Sequence, residues 1–596
     1  MVSRTSVPSR SADNPPPQTL REYALIADGE RGALVGPHGD IAWMCMPRWD
    51  SDAVFSTLIG GPGHYALTPV GRYVWGGYYE DGSLIWRSRW ITENGIVECR
   101  EALAMPADPH RAVLLRRLRA VDGEARVTVD LAPAAGFGAD RSQLPHRAED
   151  GTWGARTGNL RWRWSGVPEA HTTRYGHRGG LTAALTLQPG EERDLVLEIS
   201  EQPLPDAPDA DRLWSGTKES WAREVPSLEH TLAPEDARRA YTVLRGLTSA
   251  SGGMVAAATT SLPERADAGR NYDYRYVWIR DQCYAGQAAA AAGGQPLLDD
   301  AVRFISARLH QDGPRLSPAY TVDGSPVPRQ SELALPGYPG GGSRIGNQVS
   351  DQFQLDAFGE ALLLFAAAHG HGRLDTDGWR AVEIAVDAIA RRRDDADAGI
   401  WELDAQHWTH SRLICVAGLR AVAQAAPSAS RAAAWASLAD VILAETTANG
   451  LHPSGRWQRS TSDPSLDAAL LLPPLRGAVA ADDPRTTSTL SAFTTDLTRD
   501  HYAYRFRHDQ RPLEEAEGAF LFCGYVVAMA EHQQGHEAEA LRWFERNRSA
   551  CGPSGLFAEE YDISQRQLRG NLPQAFVHAI MLESAVRLAG PPERNA

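Results

Sequence analysis

The feature that most constrains this 596-residue chain is an abrupt change of pattern a third of the way along it. Pro203-Leu204-Pro205-Asp206-Ala207-Pro208-Asp209-Ala210-Asp211 separates two stretches of different periodicity. Upstream, from Leu20 to about residue 210, apolar residues alternate in short, turn-punctuated runs, the period of half-buried strands. Downstream of Pro234 they recur at helical spacing in Ala-rich segments. A chain of this length exceeds one ordinary core, so the break reads as a linker between domains.

In the upstream part, Ala33 to Trp43 reads as strand, turn, strand around Gly36-Pro37-His38-Gly39. Ala112–Val121 and Ala125–Leu131, with Asp122-Gly123 between them, read as a hairpin. Leu160-Arg161-Trp162-Arg163-Trp164 alternates cleanly, and Ala183–Leu187 and Asp194–Ile199 add strands. Residues 20–210 are therefore expected to form an antiparallel β-sandwich. Residues 211–233 are expected to be a linker carrying a bridging helix, Arg212–Glu224. From 234 to 596, eleven segments show helical spacing, from Ala237–Ala250 to Pro573–Leu588, and their pairing predicts an α/α arrangement rather than βαβ units. A toroid of helix pairs would gather its long loops into a pocket at one end. Residues 1–19, rich in Ser and Pro and without an apolar core, read as a disordered tail rather than a signal peptide.

A formal net charge of −15 excludes the basic surface that nucleic acids or anionic membranes require. No run approaches the roughly 20 apolar residues of a membrane span. The six scattered cysteines contain no CxxC pair, which argues against a zinc site or a disulfide framework and for the cytoplasm. His407 and His410 lack a third ligand, so neither metal nor other cofactor is expected. Pro336 to Asn347 is Gly-rich but lacks the Gly-Lys-Ser/Thr ending of a phosphate loop; it reads as a flexible rim over the pocket. A neutral small molecule remains the fitting partner, and a homo-oligomer is compatible with this composition.

Two glutamates stand out. Gly399-Ile400-Trp401-Glu402 and Gly555-Leu556-Phe557-Ala558-Glu559-Glu560 each set a carboxyl beside aromatic and apolar residues where a helical pattern breaks. An aromatic wall desolvates a carboxyl and lets it stay protonated, while a carboxylate in a more polar setting can act as base. Such a pair is the equipment for cleaving a glycosidic bond. Asn271-Tyr272-Asp273-Tyr274-Arg275-Tyr276-Val277-Trp278-Ile279-Arg280-Asp281 concentrates aromatic rings, forked cations and carboxylates, the groups that grip a polyol. Alone, that string is equally what a structural Arg–Asp pair among core aromatics looks like.

Together with Gln354-Leu355-Asp356-Ala357-Phe358-Gly359-Glu360 and Glu517-Gly518-Ala519-Phe520, these motifs closely resemble glycoside hydrolase family 15, which holds glucoamylases, glucodextranases and a bacterial branch with trehalases. Tyr23 to Asp28 and Ala33 to Asp50 resemble the β domain of that branch, so the resemblance runs from about residue 20 to 590. It implies a β-sandwich followed by an (α/α)6 barrel and inverting, exo-acting hydrolysis of α-glucosides. By motif match, Glu402 is the general acid and Glu559 the base, with Glu560 a substrate contact or, the two roles exchanged, the base. Tyr274 is matched to the holder of the attacking water, Arg280 and Asp281 to binders of the terminal sugar's hydroxyls, and Trp278 and Trp401 to the pocket wall. Arg505 resembles a further sugar-binding arginine. Leu403 follows the acid where starch-acting fungal members carry a second carboxylate, which weakens a starch assignment. The expected substrate is a short α-glucoside, isomaltose-like ahead of trehalose. The alternatives are a non-catalytic carbohydrate-binding protein and an enzyme that removes glucose from a specialised metabolite.

Overall fold

The computed structural model describes residues 16–175, 178–266, 269–509 and 511–591. Most of the tail predicted for residues 1–19 thus lies outside the described residues. Among the described residues, three antiparallel sheets build the first part. An eight-stranded sheet runs, in spatial order, through His146–Arg147, Trp153–Thr157, Leu160–Ser165, Glu192–Ser200, Arg111–Gly123, Gly95–Leu103, Trp86–Thr92 and Tyr73–Tyr79. It faces a four-stranded sheet of His171–Tyr175, Arg178–Leu187, Ala125–Ala132 and His64–Pro69 across a shared core that includes Trp86, Trp90, Trp162, Trp164, Val127 and Leu185. Alternation places Trp162 and Trp164 in that core, while Arg163 turns outward to Glu198.

The hairpin expected at Asp122-Gly123 does not form. Arg111–Gly123 pairs with Gly95–Leu103 and Glu192–Ser200, whereas Ala125–Ala132 pairs in the other sheet. The Asp-Gly signal marks a corner where the chain changes sheets. Both strands alternate as a hairpin would, so periodicity alone cannot separate the two outcomes.

The third sheet, Ala24–Ala27, Gly32–Val35, Ile41–Cys45 and Ala53–Phe55, joins the two parts of the molecule. Its strands are buried on both faces: Ala24 and Ile26 enter the sandwich core, and Leu25 and Ala27 the helical core. The Trp43 indole donates to Ala258 O at 2.8 Å, and Arg275 Nη1 donates to Ser51 O at 2.5 Å.

Helix α1 (Ala210–Glu224), capped by Asp209, lays Trp214 against the sandwich, its indole donating to Asp194 and stacked under Arg100, and buries Trp221. Among the described residues, twelve helices follow: α2 (Pro234–Gly246), α3 (Ile279–Ala291), α4 (Gln295–Asp312), α5 (Asp356–Gly370), α6 (Thr376–Arg392), α7 (Thr409–Gln424), α8 (Ala429–Asn449), α9 (Leu472–Leu475), α10 (Pro484–Asp496), α11 (Leu521–Gln533), α12 (Glu537–Arg548) and α13 (Ala575–Arg587). Helices α3, α5, α7, α9, α11 and α13 touch in sequence and close into an inner ring, with α13 returning to α3. The even-numbered helices pack outside. The fold is an antiparallel β-sandwich followed by an (α/α)6 barrel.

Sequence explains the two rings. Outer α6 is apolar along one stripe, Ala381, Val382, Ala385, Val386 and Ile389, whereas inner α11 is buried from Leu521 to His532. Glycines let inner helices approach: a Cβ on Gly359 of α5 would lie 2.7 Å from the Ile414 carbonyl carbon of α7, and one on Gly418 of α7 would lie 2.4 Å from Gly359 O. Helix α9 is a single turn containing Pro473 and Pro474, too short to show a period in the sequence. Among the described residues, no helix is long and apolar enough to cross a membrane.

Candidate active site

The inner helices begin on one side, and their N-terminal ends surround a cup of about 260 Å³. Arg280 and Asp281 come from the first turn of α3, Phe520 precedes α11, and Gln574 and Phe576 start α13. Glu402 comes from the loop before α7, and Glu559 from the loop before α13. Both glutamates line the same cup.

Glu402 sits in a turn pinned from beneath. Asp397, buried, accepts from Arg412 at 2.9 Å, from Ser411 Oγ at 2.7 Å and from Gly399 N at 3.1 Å. The turn closes through Glu402 N to Gly399 O and Leu403 N to Ala398 O. Glu402 itself has φ 57°, the left-handed region that costs a non-glycine residue about 1–2 kcal/mol. This strained backbone aims its carboxyl, 28% exposed, into the cup. There the Trp278 indole donates to Oε1 at 2.5 Å, and Arg280 Nη2 lies 3.5 Å away.

Glu559 is nearly sealed. Tyr274 OH donates to Oε1 at 3.3 Å, and Oε2 has no protein partner. Burial, with Glu264 as the strongest like charge, pushes its carboxyl well above the usual range, opposed by Arg505 and the Tyr274 hydroxyl. The Tyr274 and Trp278 rings meet edge to face, 5.5 Å between centroids, so two touching aromatics link the carboxyl groups. An unpartnered oxygen on a buried carboxyl in a cup is where a water would be held and deprotonated.

The string from Asn271 to Asp281 divides by side. Tyr272, Tyr274, Trp278, Arg280 and Asp281 line the cup. Asp273 and Arg275 pair at 2.7 Å away from it, towards Cys45 and Ser51. The string therefore divides between residues that line the cup and a structural Arg–Asp pair that does not. Arg280 is oriented by Gln354 at 2.8 Å and by Asp356 at 3.6 Å. Burial raises Asp281 to about 6, against the pull of Arg280. Trp401 lines the cup with its indole fixed by Asp467 at 2.7 Å.

Arg505 also lines the cup, held by Glu517 at 2.5 Å and Glu560 at 3.4 Å. Glu560 is not brought to the cup. In extended chain, neighbouring side chains point oppositely, so Glu559 faces the cavity and Glu560 faces away. There Glu560 is fully buried and accepts from Gly518 N at 2.7 Å. Among the cup residues that escape the sequence reading is the charged pair Glu264 and Arg270, which flank a loop without periodicity. The Gly-rich Pro336–Asn347 segment folds back on the sandwich, with Gly337 N donating to Ile59 O and Tyr338 OH to Gln18 O; only Asn347 of it reaches the cup. His407 bonds Asp394 O, and no group of three or more metal-ligating side chains occurs among the described residues.

A family model described as "Glycosyl hydrolases family 15" matches residues 238–586. This chain belongs to glycosyl hydrolase family 15. A second model, "Trehalase-like, N-terminal", matches residues 14–199 of this family 15 chain. Over 617 residues the chain is 31% identical to a protein named trehalase from Mycolicibacterium smegmatis, covering 96% of this chain and 91% of that one. It is also 31% identical to a trehalase of Mycobacterium tuberculosis, covering 99% and 92%. A bacterial glucoamylase solved in complex with acarbose superposes over 98% of both chains with a TM-score of 0.72 at 14% identity, a likeness of fold. The family 15 chain is a glycoside hydrolase, and its substrate is a carbohydrate.

Proposed function

We propose that this hydrolase cleaves trehalose with inversion, Glu402 acting as general acid and Glu559 as base. The observation that carries the mechanism is that both carboxyls line one cup, bridged by Trp278 and Tyr274. Glu402 protonates the glycosidic oxygen. Water held by Glu559 and Tyr274 attacks the anomeric carbon from the opposite face and gives its proton to Glu559. Inversion needs about 6.5–9.5 Å between the carboxyls to seat that water. Arg280 and Asp281 grip the hydroxyls of the cleaved glucose, with Trp278 and Trp401 against its ring. Arg505 lines the base side of the cup as a further contact for the sugar and offsets part of the negative charge around Glu559.

The relatives named trehalase, matched along nearly the whole chain, move the preference from isomaltose-like glucosides to trehalose. A cup of about 260 Å³ suits a short substrate, since sites for larger ligands span about 300–1,000 Å³. We read residues 20–210 as the sandwich domain, 211–233 as the linker and 234–596 as the catalytic domain. Six free thiols favour the cytoplasm.

The test is early NMR of the products. Inverting hydrolysis of trehalose gives one β-glucose and one α-glucose, because the leaving sugar keeps its anomeric bond. Two equivalents of initial α-glucose would refute inversion. Faster turnover of isomaltose or maltose than of trehalose would refute the substrate. Glu402→Gln and Glu559→Gln should each lower kcat by orders of magnitude in a folded protein.

A further inference from the structure

Behind the cup lies a second cavity of about 120 Å³, lined by Arg265, Glu514, Glu517, Asp562, Gln565 and Arg569 among others. Its rim includes exposed Ala266 and Gln565, so it opens to solvent. Glu264 lines both cavities. Only 4% exposed, it forms part of the wall between them, on a turn fixed by Glu264 N to Arg270 O and by Gly570 N to Pro263 O. Gly570 in turn sits between the two carboxyl side chains. A Cβ placed there would lie 3.4 Å from Glu559 Oε2 and 3.9 Å from Glu264 Cγ. The unpartnered oxygen of Glu559 thus faces the same small space as Glu264.

Around this space four carboxyls (Glu264, Glu517, Glu559 and Glu560) meet two guanidiniums (Arg270 and Arg505). Glu517 holds the close contacts, 2.8 Å to Arg270, 2.5 Å to Arg505 and 2.8 Å to His508. Glu264 keeps only distant ones, 3.7 Å to Arg505 and 4.0 Å to Arg270. Two guanidiniums, even joined by the His508 imidazole on Glu517, cannot neutralise four buried carboxylates, so the cluster retains a proton that its less tightly held members share. Burial raises Glu264 as well as Glu559, which matches their loose contacts.

We propose that Glu264 relays the proton of each turnover from Glu559 to the rear cavity. This rests on Glu559 being the base. The attacking water loses its proton to the Glu559 carboxylate. Glu264 carries the shared proton while Glu559 is ionised, and as Glu559 takes the water's proton Glu264 releases its own to water in the rear cavity. While sugar still fills the cup, the proton on Glu559 then passes through a bridging water to the emptied Glu264 carboxylate, restoring the base. Glu402, left ionised after protonating the leaving oxygen, regains a proton from solvent at the cup mouth, so each cycle is proton-neutral. Glu264 acts through Glu559 and is a positioning residue.

The experiment compares Glu264→Gln, Glu264→Asp and Glu559→Gln in the full chain, with whichever of trehalose, isomaltose and maltose is turned over fastest. Glu264→Gln is expected to lower kcat about tenfold or more, with formate or imidazole restoring part of the rate. Its acid limb should also move to lower pH, because the nearest like charge beside the base is gone. Glu264→Asp should retain most of the rate and the limb. A Glu264→Gln enzyme with an unmoved limb and no response to formate or imidazole overturns the relay. Gln565→Trp, which narrows the rear mouth and leaves the carboxyls intact, decides the matter if Glu264→Gln does not fold: a buffer-dependent fall in kcat supports the relay and a buffer-independent rate overturns it. Full activity in Glu559→Gln would instead sink the assignment of the base. An inactive Glu559→Gln beside a wild-type-like Glu264→Gln sinks the relay alone.

Discussion

Asp397→Asn is the perturbation that most sharply tests how the acid is held. Asp397 never touches the cup, yet it receives Arg412, Ser411 and Gly399 N beneath the turn that presents Glu402. An Asn is the same size but carries one acceptor and one donor group. Whichever way the amide turns, its NH2 confronts a donor, and buried Arg412 loses its counter-charge. Removing one partner of a buried ion pair costs about 3–5 kcal/mol. Against a total stability of about 5–15 kcal/mol, the variant should fold at room temperature with a lowered urea midpoint. The functional effect follows from the backbone. Glu402 holds its left-handed φ only while the turn enforces it, and relaxing that strain moves the carboxyl from the Trp278 indole. A displacement of about 1 Å is worth roughly a hundredfold in rate, or about 2.7 kcal/mol of barrier. The assay pairs urea unfolding with kcat on the same preparation, well below the melting range. Ser411→Ala, which removes one neutral hydrogen bond, should cost about 1 kcal/mol and proportionately less activity. A folded Asp397→Asn enzyme that has lost stability but keeps wild-type kcat would show that Glu402 needs no such support. An unchanged urea midpoint would refute the charge argument itself.

Three further outcomes follow from the same contacts. Glu559 must be ionised to take a proton, and burial holds its carboxyl up, so activity is present above that raised value and lost as pH falls through it. The acid limb of kcat/KM should therefore lie above the ordinary Glu value of about 4.3, and a limb below it contradicts the assignment. Arg476, at the end of α9, is bound bidentately by Glu583 of α13, one contact being 2.9 Å, and it tethers the one-turn helix to the inner ring. Arg476→Met should cost about 3–5 kcal/mol in urea unfolding. Because Arg476 holds Glu583 below its ordinary value, that deficit should be full near neutrality and shrink as pH falls through the folded value; a deficit constant down to acid pH counts against the pair. Gly359→Ala would drive a methyl into the Ile414 backbone and force α5 from α7, at about 1–3 kcal/mol by thermal melting; an unchanged Tm would mean the crossing is looser than the 2.7 Å approach implies.

What the sequence reveals, and what it hides, divides along the range of the physics involved. The helices of both rings are legible because each shows an apolar stripe or a continuous apolar run within its own residues; α9 is not, since one turn with two prolines has no period to read. Glu402 and Glu559 are visible because each carries its aromatic wall in adjacent sequence. The sheet change at Asp122-Gly123 is hidden because alternation looks the same whether the next strand pairs back or crosses to another sheet. Glu264 is hidden for a deeper reason: its importance lies in a charge balance among residues 264, 270, 505, 517, 559 and 560, contributed by loops far apart in the chain. The neighbouring pair Glu559-Glu560 shows how fine that division is. One step along extended backbone puts one carboxyl in the cup with a free oxygen and the other behind it, bound to Gly518 N. The proposed base is thus distinguished from its neighbour by which face of a short strand meets the cavity, a property of tertiary placement that identical residue types cannot announce.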